Sequence, residues 1–233
     1  MSRVPRLFGP GLPASGRWML EGDEAHHVVR VLRAHPGDAV NVFDGAGREA
    51  ACRVVLVHRD AVEIEVVREI EPPRPAREVV LCAAVPKGER MEWMVEKCVE
   101  AGAARILPLA ADRSVRKEAG PNSVRRWRRA AVEAAKQCGR ADVPEVCDPM
   151  PLGEALSRTS SAVRVVADPA TSARIEDLLP PSGAVAVFVG PEGGFGTGET
   201  AVLRESGARP FALGRLILRV ETAAVVAVHR TAT

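Results

Sequence analysis

No apolar run in this chain approaches the ~20 residues that a membrane span needs, and Arg3 and Arg6 precede no signal-like apolar segment. The expectation is a cytoplasmic protein with no membrane partner. Cysteines are few: Cys52, Cys82, Cys98, Cys138 and Cys147 are scattered, odd in number and lack any C-x-x-C pair. That argues against both a disulfide framework and a zinc site. A Walker-type phosphate loop is excluded, because no Gly-Lys-Ser or Gly-Lys-Thr follows any of the glycines. No internal repeat is visible, and the one biased tract is the short run Glu71-Pro72-Pro73-Arg74-Pro75-Ala76. The net charge of +2 carries little information about partners. Arginines do crowd into Arg113 to Lys117 and Arg125 to Arg129, a local basicity that suits nucleic acid or a plain solvated surface.

What is present is ordinary for a globular protein: 46% hydrophobic and 27% charged residues over 233 positions, enough for one large or two modest cores. Residues 1–71 read as a small β-rich domain. Arg17 to Leu20 predicts a strand, and Asp23 caps a helix that runs to Arg33 and ends at Pro36-Gly37-Asp38. Ala39 to Phe43 and Arg48 to Val57 flank a hairpin signal at Asp44-Gly45-Ala46-Gly47, and Ala61 to Ile70 alternates again. Strands so short and so closely spaced suggest a small barrel. Three prolines in four residues cannot continue a sheet, so 72–76 is read as a linker.

Over 77–233 strand and helix alternate, the mark of a parallel sheet. Strands are expected at Glu78 to Val85, Arg105 to Leu109, Val163 to Ala167, Ala184 to Val189 and Pro210 to Leu213. Helices are expected at Lys87 to Ala101, Asn122 to Cys138, Leu152 to Ser157, Ile175 to Leu179 and Val220 to His229. Two of the strands run into glycine-rich turns, Gly190-Pro191-Glu192-Gly193-Gly194 and Leu213-Gly214. Strand, glycine loop and helix in succession build ligand pockets at the carboxyl ends of parallel strands. Gly196-x-Gly198-x-x-Ala201 matches a dinucleotide fingerprint in form. Its strand ends too early, though, no acid follows the next strand, and too little chain remains for a second half-domain.

The two loops together carry a resemblance. Gly190-Pro191-Glu192-Gly193-Gly194, followed by Leu213-Gly214-x-x-Ile217-Leu218-Arg219-x-Glu221-Thr222-Ala223, resembles the 16S ribosomal RNA uridine-N3 methyltransferase family of the SPOUT class. So do His27-x-x-Arg30-Val31-Leu32-Arg33, Lys87-Gly88-Glu89-Arg90-Met91-Glu92, and Glu133 through Arg140 with Val143-Pro144. Motifs in order over nearly the full length make this more specific than either loop alone. Where members often carry an arginine this chain has Leu216, with Arg215 beside it.

The resemblance implies an α/β fold: a trefoil-knotted parallel-sheet domain preceded by a small PUA-like β-barrel. It also implies S-adenosyl-L-methionine as methyl donor, 16S rRNA or the small ribosomal subunit as partner, a homodimer, and no metal. Cofactor contacts would come from Ala167, Val189, Gly190, Pro191, Glu192, Gly193, Gly194, Leu213, Gly214, Ile217, Leu218 and Thr222. Arg219 and Glu221 are the catalytic candidates: Arg219 to stabilise charge on the uracil carbonyls, Glu221 to orient it or take the proton. RNA contacts are expected at His27, Arg30, Arg33, Lys87, Arg113, Ser114, Arg116 and Arg140. A non-catalytic RNA-binding protein and a knotted transfer-RNA methyltransferase are the competing functions.

Plainer readings stand beside these. Arg219 and Glu221 taken alone read as an ordinary ion pair at a helix start, worth little. His26 and His27 diverge by ~100° on a helix and do not share a metal ion. Trp127 falls on the apolar stripe of its helix and reads as core; Trp93 and Met94 read as core or dimer interface.

Overall fold

The computed structural model describes residues 4–114 and 119–233, which form two compact units. Met1–Arg74 and Ala135–Val143 make the first, Pro75–Ala134 and Pro144–Thr233 the second.

In the first unit β1 (Arg6–Phe8), β2 (Gly16–Glu21), β3 (Ala39–Phe43), β4 (Glu49–Val57) and β5 (Ala61–Ile70) form one sheet, in the order β1-β3-β4-β5-β2. β1 runs parallel to β3 and the other pairs are antiparallel. The period-2 pattern of β5 puts Val62 and Ile64 into a core with Leu7, Leu20, Val40, Val42, Cys52 and Val54. Between β3 and β4 the Asp44 carboxylate accepts the N–H groups of Ala46 (2.7 Å) and Arg48 (3.0 Å), which fixes the turn. The helix after β2 differs from expectation. α1 (Gly22–His26) is flanked by Glu21 and not capped by Asp23, and it passes into a π-helical turn over His27–Leu32. Arg33 ends that turn in the left-handed region, at φ 51°.

Arg6 organises the rest of this unit. Its guanidinium meets the Glu49 carboxylate bidentately (3.0 and 2.8 Å) and lies 4.1 Å over the Phe43 ring. It also donates to the carbonyls of Ala135 (2.7 Å), Lys136 (3.3 Å) and Arg140 (2.7 Å), at and just beyond the end of a helix.

The second unit contains β6 (Glu78–Ala84), α2 (Arg90–Glu100), β7 (Ala103–Leu109), α3 (Pro121–Cys138, its last residues in the first unit), β8 (Glu145–Val146) and α4 (Leu152–Arg158). Then follow β9 (Val163–Ala167), a 3-10 turn (Ile175–Leu178), β10 (Ala184–Val189), α5 (Thr197–Glu205), β11 (Arg209–Phe211) and α6 (Val220–Ala232). All strand pairs are parallel, in the order β11-β9-β10-β6-β7-β8. The chain therefore leaves β6 on one side and returns on the other.

Met91, Met94, Val95, Cys98 and Val99 form the buried stripe of α2, as their spacing predicts. Trp127 is buried with Val124, Ala131 and Ala134, so it packs in the core. Trp93 is 45% exposed and does not. Several expected elements shift: the helix expected to end at His229 runs to Ala232, and the strand expected from Arg105 begins at Ala103. The helix predicted from Lys87 begins at Arg90, Ile175–Leu178 is a 3-10 turn, and the strand predicted at Pro210 to Leu213 is Arg209–Phe211. None of the helices, among the described residues, is long and apolar enough to cross a membrane.

Candidate functional site

Three neighbouring strands, β10, β9 and β11, end together, with Phe188 opposite Val166 and Ala167 opposite Phe211. The residues that leave those ends surround one cavity: Ala167, Asp168 and Pro169 after β9; Val189 to Glu192, Gly194 and Phe195 after β10; Phe211, Leu213, Gly214 and Leu216 to Leu218 after β11. Val220 and Ala223 from α6 complete it. Carboxyl ends of parallel strands are where open α/β sheets hold ligands.

The loops keep their shape through their own backbone. Asp168 N–H donates to the Phe211 carbonyl (2.9 Å), tying the ends of β9 and β11. Its Oδ1 accepts the N–H of Ala170 (2.8 Å), so the carboxylate belongs to the turn. In the β10 loop, Gly194 N–H bonds the Pro191 carbonyl (2.8 Å). An added Cβ at Gly190 would stand 3.0 Å from the Phe195 ring and 3.2 Å from its backbone nitrogen, so the glycine lets that ring pack close against the loop. At Gly214, φ is 146° and an added Cβ meets nothing within 4 Å, so this backbone is presented openly at the cavity.

Ten of the residues expected to bind a cofactor share this wall: Ala167, Val189, Gly190, Pro191, Glu192, Gly194, Leu213, Gly214, Ile217 and Leu218. Gly193 and Thr222 do not line it. Asp168, Pro169, Phe195, Phe211, Leu216, Val220 and Ala223 also line it, none of them among the cofactor contacts expected from sequence. Leu216 and Ile217, 81% and 86% exposed, form an apolar rim.

Arg219 sits between two cavity residues, Leu218 and Val220, and begins α6 with extended backbone (φ −67°, ψ 156°). It is exposed, and among the described residues its guanidinium has no partner. The ion-pair neighbour of Glu221 among the described residues is Arg90. That carboxylate is buried and lies 3.6 Å from Arg90 Nη1, while its Oε2 has no hydrogen bond among the described residues.

Of the basic candidates, Lys87 follows β6 and Arg113 follows β7, both exposed at carboxyl ends of parallel strands. Ser114 is buried, and Arg116 lies outside the described residues. In the first unit the π-helical turn carries half-buried His27 and exposed Arg30, with exposed Arg33 after it. Arg140 is buried and bound to Asp142 (Nη2–Oδ2 2.5 Å, Nε–Oδ1 3.2 Å), so it offers no surface contact. Burial pushes the Asp142 carboxyl up, but the hydrogen bonds and charge of Arg140 outweigh it and hold the group below its usual range.

Comparison with known proteins matches residues 72–232 to an RNA methyltransferase domain and residues 20–67 to an RNA methyltransferase PUA domain. The chain is 34% identical over 218 residues to the ribosomal RNA small subunit methyltransferase E of Mycobacterium bovis, covering 90% of this chain and 83% of that one. It is 32% identical over 221 residues to the Bacillus subtilis protein of the same name, covering 89% and 86%. The crystal structure of the Neisseria gonorrhoeae methyltransferase E bound to S-adenosyl methionine superposes with a TM-score of 0.89 at 28% identity, covering 98% and 96%. A Legionella pneumophila methyltransferase in complex with the same cofactor gives 0.87 at 29%, covering 99% and 97%. The fold is that of the SPOUT class, a knotted α/β domain with a PUA-like domain before it.

Proposed function

The chain belongs to the RNA methyltransferase family, and from that premise we propose that it transfers a methyl group from S-adenosylmethionine to N3 of a uridine in small-subunit ribosomal RNA. The observation that carries the proposal is the cavity at the ends of β9, β10 and β11, taken with relatives named for small-subunit rRNA methylation. Its residues fit the donor. Leu213, Ile217, Leu218 and Phe211 are apolar walls for an adenine, and Gly214 leaves backbone accessible to its edge. Among the described residues no Lys or Arg lines the cavity, whereas Asp168 and Glu192 do, which suits a cationic ligand.

When bound, the donor supplies a methyl group already activated on a sulfonium. Uracil N3 gives up its proton to solvent and takes the methyl in its place, and the protein's part is to align sulfur, methyl and nitrogen. Uracil N3 lies on the Watson–Crick edge, so the base has to arrive unpaired or flipped. Arg219, exposed and beside the cavity, is the group placed to stabilise charge that develops on the uracil carbonyl oxygens. Glu221, paired with Arg90, holds the start of α6 and not the arginine two residues before it.

The first unit is the proposed RNA-binding part, with Arg30 and Arg33 on its surface. The functional division is proposed at the proline run 72–76. The working form is proposed to be a cytoplasmic homodimer, with half-exposed Trp93 on α2 in the interface. Light scattering should give the mass of two chains; the mass of one would count against it. Calorimetric titration separates the enzyme from a mere RNA-binding protein. Saturable binding of S-adenosylmethionine is expected, and no heat of binding would favour the non-catalytic alternative.

A further inference from the structure

We infer that Arg113 and Glu199 are positioning residues of the donor site, which fix the Gly190–Gly196 loop in the shape that lines the cavity. The inference rests on the methyl-donor reading above. Four glycines, at 190, 193, 194 and 196, make this loop costly to order, and it does not hold one shape on its own propensity. The loop that follows β7 fixes it from outside. Arg113 Nη1 donates to the Gly193 carbonyl at 2.8 Å. The Glu199 carboxylate accepts two backbone N–H groups at once, that of Asp112 through Oε1 (3.0 Å) and that of Gly196 through Oε2 (2.8 Å). Each of these bonds has a charged partner, the stronger kind.

Packing agrees with the bonding. An added Cβ at Gly193 would lie 3.6 Å from Arg113 Cδ, so the arginine stem runs along that glycine. At Gly196 an added Cβ would lie 3.5 Å from both Asp112 Oδ2 and Glu199 Oε2. Glu199 also stands in the first turn of α5, where a carboxylate is favoured by the free N–H groups of the helix start. Arg113 has the sequence of an RNA contact, yet its guanidinium is turned to protein backbone one residue from Glu192 and Gly194 of the cavity wall. Loss of Arg113 is therefore felt at the donor and not primarily at the RNA.

The test is calorimetric titration of S-adenosylmethionine into the full-length protein without RNA, with RNA KM measured separately at saturating donor. Arg113→Ala and Glu199→Gln are each expected to raise the donor Kd about tenfold, the effect of one charge-assisted hydrogen bond. RNA KM should stay within about twofold, since the bonds lost are internal to the protein. Arg113→Lys, which keeps one donor toward Gly193, should recover part of the affinity. An unchanged donor Kd in Arg113→Ala overturns the inference. So does a variant that melts early and loses donor affinity and RNA KM in proportion, because that is a structural role. If the unaltered protein binds no S-adenosylmethionine, the methyl-donor reading itself fails, and this inference with it.

Discussion

Arg219→Ala is expected to lower turnover by about 10²–10³-fold while the donor Kd stays within about threefold, the pattern left by removing one donor that acts on developing charge. The position of the side chain carries this expectation. Leu218 and Val220 line the cavity, Arg219 does not, and its guanidinium is exposed without a partner among the described residues. A residue that held the donor would stand on the wall, and one that held the fold would be paired. Stopped-flow or single-turnover methyl transfer at saturating donor, beside calorimetry, separates the two quantities. Equal losses in turnover and in donor affinity would make Arg219 structural. Arg219→Lys keeps the charge but not the planar fork and should recover only part of the rate.

Arg6→Ala is expected to destabilise the first unit by about 3–5 kcal/mol, the cost of removing one partner of a buried ion pair. Arg6 and Glu49 have side chains only 9% and 5% exposed, so the substitution leaves the Glu49 carboxylate buried and unpaired. It also removes the donor to the carbonyls of Ala135, Lys136 and Arg140. A loss of that size is a large share of the stability of a small unit. Urea denaturation followed by tryptophan emission should show an early transition for this unit, and Trp18 lies within it. A midpoint unchanged from the unaltered protein would mean that the pair contributes nothing net. Glu49→Gln, which keeps an acceptor but not the charge, should fall between the two.

Local pattern made much of the fold legible. The alternation of Val62 and Ile64 placed β5, and the spacing of Met91, Met94, Val95, Cys98 and Val99 placed the buried face of α2. Elements too short to show a period were missed: β1 has 3 residues and β8 has 2, and each exists because a neighbour pairs with it. The π-helical turn over His27–Leu32 had no local signal, since its hydrophobic spacing is also that of an α-helix. No composition change announces that Ala135–Val143 belongs to the first unit, because that membership comes from Arg6 and from the pairing of Gly45 with Asp142.

The same divide runs through the site. The glycine loops could be read because each follows an apolar strand. Asp168 and Phe211 could not, because they meet only once the sheet has placed β9 between β10 and β11. Glu221 was assigned to the nearest arginine in sequence. Arg219 precedes the helix in extended backbone, however, and Arg90, on another helix, lies beside that carboxylate. Arg140 looked like a surface arginine until Asp142, two residues on, enclosed it.

Nucleoside mass spectrometry tests the central claim most directly. Purified protein, S-adenosylmethionine with a trideuterated methyl group and unmethylated small ribosomal subunits are incubated together, and one portion of the rRNA is digested to nucleosides while another is cut by a ribonuclease to oligonucleotides for mapping. Deuterated N3-methyluridine, mapped to one position in the small-subunit RNA and reduced in Arg219→Ala, is the predicted result. Label in another nucleoside, label only in transfer RNA offered alongside, or no label at all from a protein that binds the donor would contradict it.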